Sequence, residues 1–323
     1  MDLSTKYMGL TLKSPIIVSS SRLTGDIENI KKCADVGAGA IILKSLFEEQ
    51  LIADSNALMD QDMKYFWFPE AIDHINKHSK EHGLKQMLQM IKEAKDYTDV
   101  PIISSINCMT SHEWPQFAKS LEDAGADGIE LNVAIFPFDK YISCGDIADQ
   151  YIEILKSVKK YVNIPVSVKM GSYFTNLLQM AHRLDDAEAD ALVLFNRYYR
   201  PDINIDTETI VRENILSGPQ EVSRSLRWVA LLSQKLNCDI AGGTGIHDYT
   251  AVVKQLLAGA DATQICSTLY NNGLSYIDTI LFDLKKWMEK HNYKSISEFK
   301  GKVAQQTDSD KKFERMQFIK KEI

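Results

Sequence analysis

The sequence DAGADGIEL, from Asp123 to Leu131, ends a predicted helix, makes a turn of small residues and runs into an apolar strand. This phrase occurs four times, and the other copies are DVGAGAIIL (35–43), DAEADALVL (186–194) and LAGADATQI (257–265). Between the copies lies a second apolar run, often after proline: SPIIVSS from Ser14, VPIISSI from Val100, IPVSVK from Ile164 and CDIAGG from Cys238. Helices that repeatedly lead into buried apolar runs predict parallel strands, and the two alternating patterns give eight of them.

Eight strands that alternate with helices predict an α/β fold, a single (β/α)8 TIM barrel domain over residues 1–323. A chain of 323 residues with 45% hydrophobic residues can fill such a core. Two predicted loops are long: they follow the second and sixth strands, over 45–83 and 196–219. Long loops in a compact domain are usually functional, and in this fold the loops after the strands build the active site.

The composition excludes several classes of partner. The net charge of −7 disfavours nucleic acid as a ligand. The five cysteines are scattered without a CxxC pair, which favours reduced thiols in a cytoplasmic protein over a disulfide framework or a metal site. The N-terminal segment has no apolar core of signal-peptide length, and no run approaches the ~18 apolar residues of a membrane helix. We therefore expect a soluble protein with no membrane contact and no bound metal.

Polar residues or glycine follow every predicted strand. They are Ser19, Ser20, Ser21, Lys44, Ser45, Ser104, Ser105, Asn107, Asn132, Lys169, Asn196, Arg197, Gly242, Gly243, Cys266 and Ser267. Serine and glycine are ordinary at the ends of strands, but Lys44 and Lys169 directly continue buried runs. Such a lysine either extends its ammonium to solvent or faces an anionic ligand in the mouth of the barrel. Because two lysines occur beside three amide side chains, we favour the ligand.

The residues that follow the last two strands indicate a phosphate-binding site. The sequence GGTG (242–245) follows the seventh strand and lets the backbone approach a ligand with free N–H groups. Hydroxyl groups follow the eighth strand at Ser267 and Thr268. Barrels of this type often bind phosphate at these two loops. Flavin mononucleotide (FMN) and a sugar phosphate both satisfy this pattern.

Six segments resemble the dihydroorotate dehydrogenase family, in particular its soluble class 1 branch. They are LKS (43–45), IELN (129–132), PVSVK (165–169), SGP with LRWVALL (217–219 and 226–232), GGTGI (242–246) and GADATQI (259–265). The resemblance covers nearly the whole chain. It implies an FMN-containing barrel, usually a homodimer, which oxidises dihydroorotate to orotate in pyrimidine biosynthesis and passes the electrons to a second acceptor.

The resemblance also implies which residues hold the cofactor. The matching positions are Ser20, Ser21, Lys44, Ser45, Asn132, Lys169, Gly218, Gly242, Gly243, Cys266 and Ser267. By this resemblance Lys44 lies near the pyrimidine end of the flavin, and Lys169 lies near its N1–C2 side. A cation there stabilises an anionic reduced flavin. Lys44 is also the catalytic candidate, because the family's own base is missing.

The family's catalytic base and substrate-binding residues are altered in this chain. The family places a Cys or Ser base after its ELN strand, and here that position is Ile135, which cannot accept a proton. Of four family asparagines, Asn132 and Asn196 persist, Glu70 replaces a third, and the fourth falls near Pro137 and Phe138 without an amide. Loss of a general base costs about 10²–10⁴-fold in rate, so we expect weak or absent activity on dihydroorotate.

One more change beside the persisting amides bears on substrate binding. Arg197 replaces a small hydroxyl residue next to Asn196 and is a candidate contact for an anionic substrate group. The predicted substrate contacts are therefore Glu70, Asn132, Asn196 and Arg197.

Three interpretations remain open from the sequence. The first is an FMN-dependent oxidoreductase that acts on dihydroorotate or on another cyclic amide or ene compound. The second is a flavin-free enzyme of sugar phosphates or phosphate esters, which would be colourless. The third is a non-catalytic, flavin-holding paralogue, which is compatible with the missing base.

Overall fold

The computed structural model describes residues 1–47, 69–108, 114–135, 139–198, 201–211 and 215–305, with the side chains of 47, 69–82 and 108 outside the description. Eight parallel strands close into a barrel. They are β1 (Ile16–Val18), β2 (Ala40–Ile42), β3 (Ile102–Cys108), β4 (Gly128–Val133), β5 (Val166–Met170), β6 (Ala191–Leu194), β7 (Asp239–Gly243) and β8 (Ala262–Ile265). Each strand pairs with its neighbours in chain order, and β8 pairs with β1 to close the ring. The predicted (β/α)8 barrel is confirmed.

Helices surround the barrel. They are α1 (Ile27–Asp35), α2 (Pro69–Tyr97), α3 (Trp114–Asp123), α4 (Cys144–Lys159), α5 (Leu177–Asp186), α6 (Val222–Leu232), α7 (Tyr249–Leu257), α8 (Ser267–Asn272) and α9 (Tyr276–Lys290). Side-chain caps fix where several of them begin. The Asn29 N–H donates to the Asp26 carboxylate at 3.0 Å, and the Ala251 N–H donates to Asp248 at 3.0 Å. Among the helices in the described part of the chain, none has the length and apolar character needed to cross a membrane.

The barrel strands bury both of their faces. On β4, Ile129, Leu131 and Val133 point outward and pack in the layer between strands and helices. Inward-facing residues from the lower part of the strands, such as Ile17 and Val193, form a second apolar cluster inside the barrel. Because side chains alternate along a strand, each strand supplies both layers.

A short hairpin closes the lower end of the barrel. Strands Thr5–Tyr7 and Leu10–Leu12 pair in antiparallel register, and both Tyr7 and Leu12 are fully buried in the inner cluster. The hairpin was not predicted, since three-residue strands leave little pattern in a sequence. It fills the space below the inner apolar layer, so ligand access is left to the upper end.

The two long loops differ from the expectation in detail. After β2, a short strand, Leu46–Phe47, pairs with β3, and α2 already begins at Pro69. The predicted loop to residue 83 was therefore too long; Pro69 suits the first turn of a helix, where no N–H bond is lost. The excursion after β6 carries an antiparallel hairpin, Asp202–Asn204 with Thr209–Val211, which was also not predicted.

Candidate functional site

A polar layer lies directly above the inner apolar cluster. On β5, Lys169 lies two residues after Ser167, and on β8, Gln264 lies two residues after Ala262. Since alternate residues share a face, both longer side chains point into the barrel. Glu130 on β4 joins them and is completely buried. On β8 the barrel interior therefore changes from an apolar to an amide side chain within one alternation step, and on β5 it changes from a hydroxyl to a charged side chain.

These side chains form one connected network. Lys169 Nζ donates to Ser19 Oγ at 2.9 Å and to Gln264 Oε1 at 2.9 Å, and it lies 3.3 Å from Glu130 Oε1. Gln264 Nε2 donates to Glu130 Oε2 at 2.6 Å. The pair is largely shielded from water, because the Lys169 side chain is 11% exposed and that of Glu130 is 0% exposed. Glu130 thus balances the lysine charge and holds the ammonium at a fixed height.

A cavity of about 730 Å³ lies above this network. Predicted site residues that line it are Ser20, Ser21, Lys169, Asn196, Arg197, Gly243, Cys266 and Ser267. They come from both halves of the chain and converge because the carboxyl ends of all barrel strands meet at one rim. Burial raises the pKa of the Cys266 thiol, so this residue contributes a neutral sulfur to the wall.

Two further predicted residues are one hydrogen bond away from the lining. The Ser45 N–H donates to Ser20 Oγ at 2.9 Å, and the Ser45 hydroxyl lies 2.7 Å from Ser105 Oγ. Asn196 Nδ2 donates to Asn132 Oδ1 at 2.7 Å. Both contacts fix the orientation of a polar side chain at the rim of the cavity.

Other predicted residues face elsewhere or fall outside the description. The aliphatic chain of Lys44 packs beside Gly25, where an added Cβ would lie 3.0 Å from the lysine Cδ. Gly242 faces α7, because a Cβ there would approach the Gln255 side chain to 2.6 Å. The Gly218 N–H donates to Glu221 Oε1 at 3.0 Å. The Glu70 side chain lies outside the described residues.

The turn after β7 has an unusual backbone. Thr244 and Gly245 both have positive φ, 66° and 77°, and both line the cavity. A Cβ on Gly245 would lie 2.2 Å from Val222 N, so only glycine fits there. Gly243 is different, since the nearest atom to an added Cβ is 3.6 Å away. This turn is suited to hold an anion at the cavity wall.

The structure gives Arg197 a partner within the chain. Its Nε lies 3.2 Å from both carboxylate oxygens of Glu221, and its Nη1 donates to the Ile215 carbonyl at 2.8 Å. The two charged side chains are 14% and 13% exposed. Arg197 therefore anchors the end of the loop after β6, and an anionic substrate group would have to compete with Glu221 for the guanidinium.

The surroundings of the amide pair contain aromatic residues that were not among the predicted site residues. Tyr198 lies beside Asn196, and its ring stacks on Tyr173 with centroids 5.7 Å apart. Ile135 packs its side chain against the core, so it offers no proton acceptor. Tyr198 lies beyond the end of β6, where strand periodicity no longer assigns a direction to a side chain.

Neither Cys144 nor a metal site belongs to this centre in the described residues. Cys144 is exposed at the start of α4, with its Sγ 4.0 Å from Thr175 Oγ1. Within the described ranges, no group of three or more His, Cys, Asp or Glu side chains is arranged to hold a metal ion.

Fold and site together define an enzyme-like (β/α)8 barrel, with a polar cavity at the carboxyl ends of its strands and a tight backbone turn beside a fixed lysine. The family described as dihydroorotate dehydrogenase matches residues 2–288. The chain belongs to this family, and it is an oxidoreductase of the dihydroorotate dehydrogenase type, acting on CH–CH groups.

Several relatives match over nearly the full chain. The dihydroorotate dehydrogenase B (NAD(+)) catalytic subunit of Thermoplasma volcanium is 26% identical over 305 residues, which cover 93% of this chain and 98% of the relative. The protein of the same name from Methanocella arvoryzae is 27% identical over 299 residues, 91% and 95% of the two chains. The NAD-dependent dihydropyrimidine dehydrogenase subunit PreA of Escherichia coli K12 is 23% identical over 318 residues, 93% of this chain and 76% of that subunit.

Proposed function

We propose that the protein is an FMN-dependent oxidoreductase that interconverts a cyclic amide of the dihydropyrimidine type with its unsaturated form. The observation that carries the proposal is the convergence of eight predicted residues on one cavity above the Lys169–Glu130 pair. Two kinds of relative support the substrate class, because one is named for dihydroorotate and the other for dihydropyrimidine.

The described residues fit FMN. The cavity volume of about 730 Å³ is in the range of a cofactor site. The turn at Thr244 and Gly245, together with Ser267, supplies donors for a phosphate. Asn107 Oδ1 is a buried acceptor without a hydrogen-bond partner among the described residues, as expected where a ligand donor is needed.

Bound FMN would supply hydride transfer, and the protein would supply position and charge. Lys169 places a positive charge at the cavity floor, where its partners Ser19, Glu130 and Gln264 prevent it from moving. A fixed cation needs no reorganisation when negative charge develops nearby. Removal of its partners would free the ammonium and weaken this effect.

The amides of Asn132 and Asn196 would recognise the ring of the substrate. Their side chains are already hydrogen-bonded to each other at 2.7 Å, which limits the orientations of both. A cyclic amide has alternating N–H and C=O groups that match such donors and acceptors. With Ile135 in place of a base, we expect dihydroorotate to react slowly or not at all.

The test is reconstitution of the purified protein with FMN, followed by anaerobic mixing with dihydroorotate and, separately, dihydrouracil. We expect the protein to retain stoichiometric flavin and dihydrouracil to bleach the flavin band faster than dihydroorotate. A colourless protein that does not take up FMN would support the phosphate-ester alternative. A flavin band that neither compound changes would support the non-catalytic alternative.

We also propose a cytoplasmic homodimer. The hairpin after β6 exposes three isoleucines, Ile203, Ile205 and Ile210, which are 66%, 86% and 75% exposed. Ile203 and Ile210 are directly opposed in the hairpin register, so they form one apolar face. Replacing both with lysine should shift the protein to monomers in sedimentation velocity experiments. An unchanged sedimentation coefficient of a dimer would show that the hairpin is not the contact.

A further inference from the structure

A half-buried phenol, that of Tyr198, lies at the amide pair. Tyr198 lines a small chamber of about 180 Å³ together with Tyr173 and Arg197. This chamber adjoins the main cavity, since Asn196 and Thr244 line both. A ligand that reaches the amides therefore also reaches the phenol.

The Tyr198 hydroxyl has a fixed orientation. It is hydrogen-bonded to the Asn196 amide and to the Tyr151 hydroxyl. Both partners are themselves anchored: Asn196 Nδ2 donates to Asn132 Oδ1 at 2.7 Å, and the Tyr151 hydroxyl donates to the Val133 carbonyl at 2.8 Å. The phenol and the two amides form one polar surface, continuous from β4 to the end of β6.

The fold leaves a space shaped for this ring. An added Cβ on Gly171, just after β5, would lie 2.7 Å from the Tyr198 ring and 2.8 Å from its hydroxyl oxygen. On the other side, the Tyr173 ring stacks at an interplanar angle of 23°. Any side chain at residue 171 would displace the phenol, so the glycine and the tyrosine act as a matched pair.

Two charged side chains of the described site are already engaged in ion pairs. Lys169 is paired with Glu130 below the cavity, and Arg197 is paired with Glu221. The Tyr151 hydroxyl donates to a backbone carbonyl and is buried behind Tyr198. Tyr198 is thus the described hydroxyl that combines contact with the amide pair and access to the chamber.

We propose that Tyr198 is the catalytic proton donor of this site, for reduction of the carbon–carbon double bond of a pyrimidine ring. The proposal rests on the proposed function, and it identifies the residue that donates the proton in that reaction. Bound FMN in its reduced form would supply a hydride to the ring carbon distant from the carbonyl, and the π electrons would then move toward the carbon next to the carbonyl. That carbon takes the proton of the Tyr198 hydroxyl, a C–H bond forms as the O–H bond breaks, and solvent returns a proton to the tyrosinate. The reverse sequence describes oxidation.

The protonation state of Tyr198 agrees with this role. Burial raises its pKa above the ordinary value of 10.0, although its hydrogen bonds with Tyr151 and Asn196 oppose the shift. The phenol is therefore neutral at physiological pH and available as an acid, whereas Ile135 can provide neither an acid nor a base.

The test compares Tyr198→Phe with Tyr161→Phe in the full chain loaded with FMN. The second variant removes a hydroxyl from a ring that is 52% exposed, follows α4 and lines neither the chamber nor the main cavity. Chemically reduced protein is mixed anaerobically with orotate or with uracil, and reoxidation of the flavin is followed. The dissociation constants of both pyrimidines for the oxidised protein are measured from the perturbation of the flavin spectrum.

We expect Tyr198→Phe to slow reoxidation by about 10²–10⁴-fold, the usual contribution of a general acid, while pyrimidine affinity changes less than about fivefold. Tyr161→Phe should stay within about threefold in both. Gly171→Ala, which displaces the ring, should slow the reaction in the same direction.

Three results would overturn the assignment: a Tyr198→Phe rate close to that of the wild type, an equal loss of rate and affinity, or wild-type protein that holds FMN but reduces neither pyrimidine. Failure to bind FMN would instead refute the proposed function itself.

Discussion

The lower and upper halves of the barrel interior are built on the same strands but have opposite chemistry. In the lower half, Tyr7 and Leu12 of the N-terminal hairpin close an apolar layer that includes Ile17. In the upper half, Lys169 and Glu130 form a shielded ion pair beneath an open cavity. On β8 the transition takes a single alternation step, from Ala262 to Gln264.

This difference separates what stabilises the molecule from what it does. Burial of an ion pair is seldom more stabilising than apolar packing of the same volume, because both charges lose their hydration. The lower layer shows that these strands can carry apolar residues. We therefore interpret the charged upper layer as a ligand-binding feature, and the following changes test that interpretation.

The largest effect is expected from Lys169→Met. It leaves Glu130, which is 0% exposed, without its cation, and loss of one partner of a buried pair costs about 3–5 kcal/mol. Urea unfolding should show this loss of stability, and the double variant Lys169→Met, Glu130→Gln should recover most of it. A loss below about 1 kcal/mol would mean that the pair is not coupled as the distances indicate.

In the lower half, Leu12→Ala should cost about 2–5 kcal/mol, since the side chain is fully buried and leaves a cavity. The affinity of the folded variant for FMN should be unchanged, because the hairpin lies at the opposite end of the barrel. Isothermal titration below the melting temperature checks this. Weaker FMN binding by the folded variant would show that the two halves are not independent.

Gly243→Ala should weaken FMN binding and leave stability unchanged, which is the opposite of what is expected for Leu12→Ala. An added Cβ has no neighbour closer than 3.6 Å, so the fold should accept it, but the methyl group enters the cavity wall. We expect FMN to bind at least about tenfold more weakly, or ~1.4 kcal/mol, with an unchanged melting temperature. Gly145→Ala, on α4, is the matched control. Equal FMN affinity in both variants would place the cofactor elsewhere.

The smallest effect is expected at the lower rim, from Asp239→Asn. Burial and the nearby Asp261 raise the pKa of Asp239 from 3.8 to about 6. The folded state then binds a proton more tightly than the unfolded state, so this group lowers stability as the pH rises from about 4 to 6. The variant should lose that decline between pH 4 and pH 6, as measured by thermal melts. An identical pH dependence in both proteins would exclude Asp239 as its source.

Much of the barrel could be predicted because the same sequence pattern repeats along the chain. The alternation of helix ends, small turns and apolar runs placed all eight strands. The two hairpins were not predicted, because a three-residue strand is too short to show a periodic pattern in the sequence. The start of α2 at Pro69 was also not predicted. The expected loop ended at Gly83, but the helix continues through this residue.

The site was predicted less completely than the fold. Lys169 was singled out, but its partners Glu130 and Gln264 were not. The signal was present: in IELN and ATQI a polar residue interrupts an apolar run at an inward-facing position. Pairing of Arg197 with Glu221 could not be read from the chain, because the two residues meet only through the path of the intervening loop.

The most direct test of the account is an anaerobic visible spectrum of the FMN-reconstituted protein, titrated with dihydrouracil and then with dihydroorotate. The account predicts a retained flavin band that dihydrouracil bleaches and dihydroorotate bleaches slowly or not at all. A protein without flavin, or a band that neither compound bleaches, would contradict the proposal of an FMN-dependent oxidoreductase for dihydropyrimidine-type substrates.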